Sequence, residues 1–235
     1  MLRLIAVLML LAAGPDEPGA KDGQAPVGEG PEPAPVPISW ELEFRYVPPR
    51  RIEVQLAGDQ QPEVYWYLLY TVANTSGTTQ YFYPTFELVT GELRLIETDM
   101  GINPLVFDAI RERHKRTHPY LVHPTKAIGE LRAGADYARE SVAIWRASDL
   151  STTEFTIYVA GLSGEARVLR NPAYDPGRPE TVTTIGPDGR ERIETVNPKY
   201  FTLRKTLQLH YTLPASEQAR GQVEPRLDAA RWIMR

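Results

Sequence analysis

One run of this chain limits its fold more than any other. Val64–Ala73 reads Val-Tyr-Trp-Tyr-Leu-Leu-Tyr-Thr-Val-Ala, a strand by its aromatic and β-branched content. Successive side chains of a strand point to opposite faces. One face therefore carries Val64, Trp66, Leu68, Tyr70 and Val72, and the other Tyr65, Tyr67, Leu69 and Ala73. A strand in a two-layer β protein normally turns one polar face to water. Here neither face is polar, so the strand must be covered twice. A facing sheet supplies one cover. The chain's own helix, its C-terminal tail or a ligand must supply the other, and the helix or tail is expected to do so.

The same period recurs. Trp40, Leu42, Phe44 and Tyr46 alternate with Glu41, Glu43 and Arg45, and Ile52, Val54 and Leu56 follow the Pro48-Pro49 break. Asn74-Thr75-Ser76-Gly77 is turn chemistry. Further strands are expected at Thr79–Leu88, with Pro84 marking a bulge or an edge, and at Glu92–Glu97, Lys126–Leu131, Ser141–Trp145 and Phe155–Ala160. Thr181–Ile185 and Arg190–Val196 flank a Gly-Pro-Asp-Gly turn, and Tyr200–Leu213 is a long strand. Its apolar face holds Phe201, Leu203, Leu207, Leu209, Tyr211 and Leu213, interrupted by Lys205, where a bulge or a snorkelling lysine is expected. One helix is expected near 103–116, with Asn103 as N-cap and Pro104 at its first position. The stretch from Pro214 is polar until Trp232-Ile233-Met234. Many short strands and one helix make a mainly β chain, a single β-sandwich domain over 38–235.

The first 37 residues differ in kind. Arg3 precedes an apolar run from Leu4 to Ala13 and the small residues Ala12-Ala13-Gly14, the layout of a signal peptide expected to end near residue 20. The run is about half of what a bilayer span needs. In 14–37, seven Pro and five Gly fill 12 of 24 positions. Such a stretch cannot offset its ordering entropy by burial, so 21–37 reads as a disordered linker. Of the formal net charge of -4, most arises here, where two cations meet five anions in 1–37. The remaining body is nearly neutral, which argues against nucleic acid as a partner. With no cysteine, disulfides, thiolate metal sites and lipoprotein anchors are excluded.

Trp40–Tyr46, Tyr65–Gly77, Tyr83-Pro-Thr-Phe-Glu-Leu-Val, Phe155–Gly164 and the closing Trp-Ile-Met-Arg resemble a family of exported bacterial proteins with no known activity. The strand running into Asn-Thr-Ser-Gly, with the later Leu131-x-x-Gly134, is similar to immunoglobulin-like modules of bacterial envelopes. The resemblance implies an immunoglobulin-like β-sandwich with one short helical insertion, located in the periplasm or outside the cell. It carries over no functional residue.

Candidate chemistry is sparse. His114, His118 and His123 fall within ten residues, a spacing that could serve a metal. No His-Glu-x-x-His arrangement accompanies them, and solvated histidines are expected. Arg111, Arg113, Lys115 and Arg116 suit the negative end of a helix dipole. Asn74-Thr75-Ser76 is formally a glycosylation sequon, read here as a turn. No nucleophile elbow, phosphate loop or dinucleotide fingerprint occurs. The expected function is a non-catalytic binding or structural module of the cell envelope, partnered by a protein or glycan. No cofactor, metal ligand, catalytic residue or membrane span after signal cleavage is expected. The alternative is a carbohydrate-binding accessory domain using Tyr65, Tyr67, Tyr81 and Tyr83 as an aromatic platform. A third reading is a metal-dependent hydrolase built on the histidines.

Overall fold

The computed structural model of the chain describes residues 28–29, 40–56, 58, 60–91, 96–99, 101–186 and 189–235. The signal peptide expected at 1–20 lies outside these residues. So do the linker at 21–37, Gly28 and Glu29 excepted, residues 92–95 of one expected strand, and Pro187-Asp188 of the hairpin turn.

The N-terminal half of the described chain holds β1 (Gly28–Glu29), β2 (Glu43–Tyr46), β3 (Arg50–Val54), β4 (Glu63–Ala73), β5 (Gln80–Phe82), β6 (Thr85–Thr90) and β7 (Ile96–Thr98). Two helices follow, α1 (Pro104–His114) and α2 (Pro124–Ala127), then β8 (Gly129–Leu131), β9 (Arg139–Arg146), β10 (Glu154–Ala160) and β11 (Ala166–Arg170). The hairpin β12 (Thr181–Ile185) and β13 (Glu191–Thr195) precedes β14 (Tyr200–Thr212), α3 (Glu217–Gln222) and β15 (Arg226–Met234). The chain is mainly β, and every pair of strands is antiparallel.

Strand β4 is the centre of the first sheet. On one edge β3 pairs with Glu63–Tyr67 and β2 with Tyr70–Ala73; on the other β9 pairs with Tyr65–Val72. β2 and β3 are thus one edge broken at Pro48-Pro49, which lack the N–H a ladder requires. The second sheet runs β7, β6, β10, β14, β15. β11 continues β10 along the same edge of β14, where the Lys205 N–H donates to the Glu165 carbonyl at 3.0 Å. The chain passes from the first sheet to the second between β4 and β6, and again between β9 and β10.

The two sheets share one core. Trp66, Leu68 and Tyr70 of β4 meet Phe86, Phe155, Ile157, Leu209 and Tyr211 of the second sheet. Trp66 and Phe155 lie 5.0 Å apart and Tyr70 and Phe86 4.9 Å, as ring centroids. The Trp145 Nε1–H donates to the Phe86 carbonyl, so the large polar-tipped side chain of β9 is satisfied inside the core.

The opposite face of β4 is covered by α1. Asn103 Oδ1 accepts the Leu105 N–H at 3.0 Å and Pro104 fills the first position. Val106, Phe107, Ile110 and His114 are buried on one stripe of the helix. They pack with Tyr65, Tyr67, Leu69 and Ile144 in a second apolar cluster. Each aliphatic or phenylalanine side chain so removed from water contributes about 1.5–3 kcal/mol.

Several sequence expectations are corrected: the one expected helix is three among the described residues, and His114, expected in solvent, is buried. Thr79–Leu88 is two strands in different sheets, β5 with β8 and β6 with β10, because Pro84 breaks the ladder. Lys126–Leu131 is the end of α2 followed by β8; His123 caps the helix and Pro124 starts it. The polar stretch after Pro214 forms α3 and then β15, paired along β14 from Lys205 to Thr212. Lys205 neither snorkels nor makes a bulge. It is buried and ion-paired to Glu41 and Glu165, and the register shift falls at His210/Tyr211. Burial alone would lower its pKa, but the two carboxylates outweigh that and raise it. Phe201 and Leu203 lie beyond the shared core, Phe201 exposed and Leu203 half-buried.

Residues 40–42 bind the turn between β10 and β11 before β2 joins the first sheet. Leu42 N–H donates to the Leu162 carbonyl at 2.8 Å, and Gly164 N–H to the Trp40 carbonyl at 3.0 Å.

Candidate functional site

The four tyrosines of the expected platform separate into two pairs. Tyr65 and Tyr67 are 3% and 1% exposed beneath α1, so they offer no surface to a ligand. Tyr65 Oη donates to Glu63 Oε2, and Tyr67 Oη bonds His114 Nε2 at 2.9 Å. Tyr81 and Tyr83 are 57% and 61% exposed. Their rings are parallel to within 1° with centroids 6.1 Å apart. Phe82 between them is fully buried, so the alternation that seats Phe82 turns both tyrosines outward. The backbone behind them is pinned. Gly161 has φ +85°, and a Cβ there would stand 2.4 Å from the Tyr83 carbonyl oxygen. Only glycine meets both conditions.

Pro84, the next residue, lines a cavity of about 380 Å³. Its apolar wall includes Tyr70, Phe86, Phe107, Ile128 and Ile144. The cavity therefore draws on both sheets, on α1 and on the segment after α2. Among its polar lining groups are Asp99 and His123. Burial pushes the Asp99 carboxyl up to about 6. His123 Nδ1 accepts the Thr125 N–H at 3.3 Å and also faces Thr125 Oγ1 at 2.8 Å. That leaves the proton of the neutral ring on Nε2. The Phe107 ring stands edge-on to the imidazole at 4.9 Å. A mostly apolar cleft with a few polar groups, one of them a displaced carboxyl, is the usual form of a small-molecule site.

The histidines do not converge on a cation. His114 is buried against Tyr67, and burial first, then His118, Arg50 and Arg113, lower its pKa to about 4. His118 Nδ1 faces Thr117 Oγ1, and His210 Nδ1 faces Thr156 Oγ1. Among the described residues no group of three or more His, Cys, Asp or Glu is placed to hold a metal ion. On α1, Arg111 pairs with Asp108, Lys115 with Glu112, and Arg113 donates to the Arg51 carbonyl. Asn74 is fully buried. Its Nδ2 donates to the Thr78 and Leu131 carbonyls and its Oδ1 accepts from Ser76. The amide is a turn anchor with no free face for a glycan.

Sequence reasoning missed Asp99 and the cavity. Thr98-Asp99-Met100-Gly101 carries only a turn signal, and the desolvation that sets Asp99 apart comes from residues distant in sequence. Among the described residues no helix is long and apolar enough to cross a membrane. No protein-family model matches the chain, nor does any curated protein or solved structure.

Proposed function

We propose that this chain is an exported, non-catalytic binding module of the cell envelope, working in the periplasm or outside the cell. Its ligand site is the apolar cavity beside Asp99 and His123. The observation that carries the reading is the cavity itself: about 380 Å³, walled mainly by apolar side chains from four separate elements. It fits a compact, largely apolar group that offers one hydrogen-bonding atom to the carboxyl or imidazole. The fold behind it is an immunoglobulin-like β-sandwich. In support, β2, β4 and β9 stand in the order of strands A, B and E, and β7, β6, β10 and β14 in that of C′, C, F and G. Export rests on the charged and apolar pattern of the first 20 residues.

The test uses a neutral apolar dye, Nile red, with the purified protein. Saturable one-to-one fluorescence enhancement is expected. Ile128, 44% exposed at the cavity, can be replaced without emptying the core, and Ile128→Glu should abolish the enhancement while the melting temperature holds. Absence of saturable binding to the unaltered protein would falsify the cavity reading. Export is checked by N-terminal sequencing of protein from full-length expression; intact Met1 on soluble cytosolic protein would sink it.

The carbohydrate reading keeps one supporting observation, the parallel, stacked and exposed Tyr81–Tyr83 pair. Retention on a polysaccharide column that disappears in Tyr81→Ala and Tyr83→Ala would favour it over the cavity.

A further inference from the structure

A second cavity, of about 320 Å³, lies at the other edge of the first sheet, where β3 meets α3. Its lining contains four arginines, Arg50, Arg51, Arg113 and Arg220, against one carboxylate, Glu224. Glu224 is committed to Arg50, at 2.8 Å from Nε and 2.6 Å from Nη2. Arg113 Nη1 donates to the Arg51 carbonyl. Arg51 and Arg220 also line the cavity, and burial first, then the charge of Arg220, lowers the Arg51 pKa.

These two guanidinium groups are incompletely bonded. Arg220 is only 8% exposed; its Nη1 donates to the Ala215 carbonyl at 2.7 Å, while its Nε is buried with no partner. Arg51 Nε and Nη2 are likewise buried and unbonded. Those two nitrogens form the fork with which arginine grips an oxyanion by two parallel hydrogen bonds. The Arg51 guanidinium carbon sits 4.3 Å from the centre of the Trp66 ring, which fixes the plane of that fork. Buried charged donors without acceptors are costly. Both arginines line a cavity with a surplus of positive charge, an arrangement suited to an anion.

We propose that this cavity binds a phosphate-class oxyanion, held by the Nε/Nη2 fork of Arg51 and the Nε of Arg220. A carboxylate would satisfy the fork alone. A tetrahedral dianion presents further oxygens to the second arginine and offsets the surplus positive charge.

The full chain is titrated with inorganic phosphate, with glycerol phosphate and with sodium chloride at matched ionic strength, following the melting temperature and the ³¹P line width. Phosphate should raise the melting temperature saturably and chloride should not. Glycerol phosphate binding as tightly assigns the site to phosphomonoesters; inorganic phosphate binding alone assigns it to the free anion; both outcomes support the proposal. Arg51→Gln and Arg220→Gln should each weaken phosphate by about 10- to 100-fold, the loss of one charged hydrogen-bonding partner. Arg111→Gln, on the exposed face of α1, should leave it unchanged. Should either glutamine variant fail to fold, Arg51→Lys keeps the charge without the fork and is expected to weaken binding about 10-fold. No saturable phosphate effect on the unaltered protein, or an effect that survives substitution of Arg51 and of Arg220, overturns the proposal.

Discussion

Two titrating groups, buried His114 and half-buried Asp99, should make the acid stability of this fold misleadingly flat. Burial pushes Asp99 up from 3.8 to about 6, so between those values the folded state holds a proton that the unfolded chain has lost. Asp99 therefore makes stability fall as pH rises through that window. His114 is lowered from 6.5 to about 4, so between these values the unfolded chain holds the extra proton, and stability rises with pH. From about pH 4 to 6 the two slopes oppose each other. Displacements of that size correspond to about 3 kcal/mol; with solvent screening at half-buried Asp99, about 2 kcal/mol each is expected. The perturbations are Asp99→Asn and His114→Gln, and the assay is urea denaturation followed by tryptophan fluorescence from pH 4 to 7. The remaining carboxylates contribute a background common to all three proteins. Relative to the unaltered chain, Asp99→Asn should gain about 2 kcal/mol between pH 4 and 6, and His114→Gln should lose a similar amount over the same interval. Parallel pH profiles for all three proteins would refute the reasoning, because they would mean that neither group changes its proton affinity on folding.

Tyr67→Ala should destabilise the domain by about 3–5 kcal/mol, the scale for emptying a buried aromatic site, and chemical denaturation reads it directly. A loss under 1 kcal/mol would contradict the burial of Tyr67 beneath α1. Gly161→Ala must strain a positive φ and displace the Tyr83 carbonyl, so a drop of at least about 2 kcal/mol is expected, with a changed tyrosine circular dichroism signal from the Tyr81–Tyr83 pair. Deleting Trp232–Arg235 removes a half-buried indole paired opposite Leu207 and should lower stability by about 2 kcal/mol; an unchanged melting temperature would contradict the docking of β15.

The parts of the fold that were legible in the sequence are those governed by strict alternation. Val64–Ala73 announced both its faces, and its second cover was narrowed to the helix or the tail; the structure places Phe107 and Ile110 of the helix there. What escaped was set by contacts remote in sequence. β15 alternates poorly, since Arg226–Met234 is an edge strand with both faces partly in water. β11 is exposed along its whole length, so no core face marks it. Lys205 looked like a defect in an apolar stripe because its partners, Glu41 and Glu165, lie far away in the chain. The tyrosines of the platform could be named but not sorted, because burial of Tyr65 and Tyr67 depends on where α1 lands. Asp99 and the arginine cavity had no sequence mark, since each is defined by what surrounds it.

The docking of residues 40–42 on the β10–β11 turn has a mechanical consequence. Glu41 is tied to Lys205, and the neighbouring Arg204 exchanges backbone hydrogen bonds with Arg235. The segment leading into β2 and the end of the last strand therefore meet at a single corner. A pull applied between residues 40 and 235 would load that corner and leave the interior of both sheets slack. Tension would peel β15 and the 40–42 segment away first, one hydrogen bond at a time, instead of shearing the sandwich as a whole. Joining residues 40 and 235 by a short loop and opening the chain between β12 and β13 should then give a permuted protein in which that corner no longer yields.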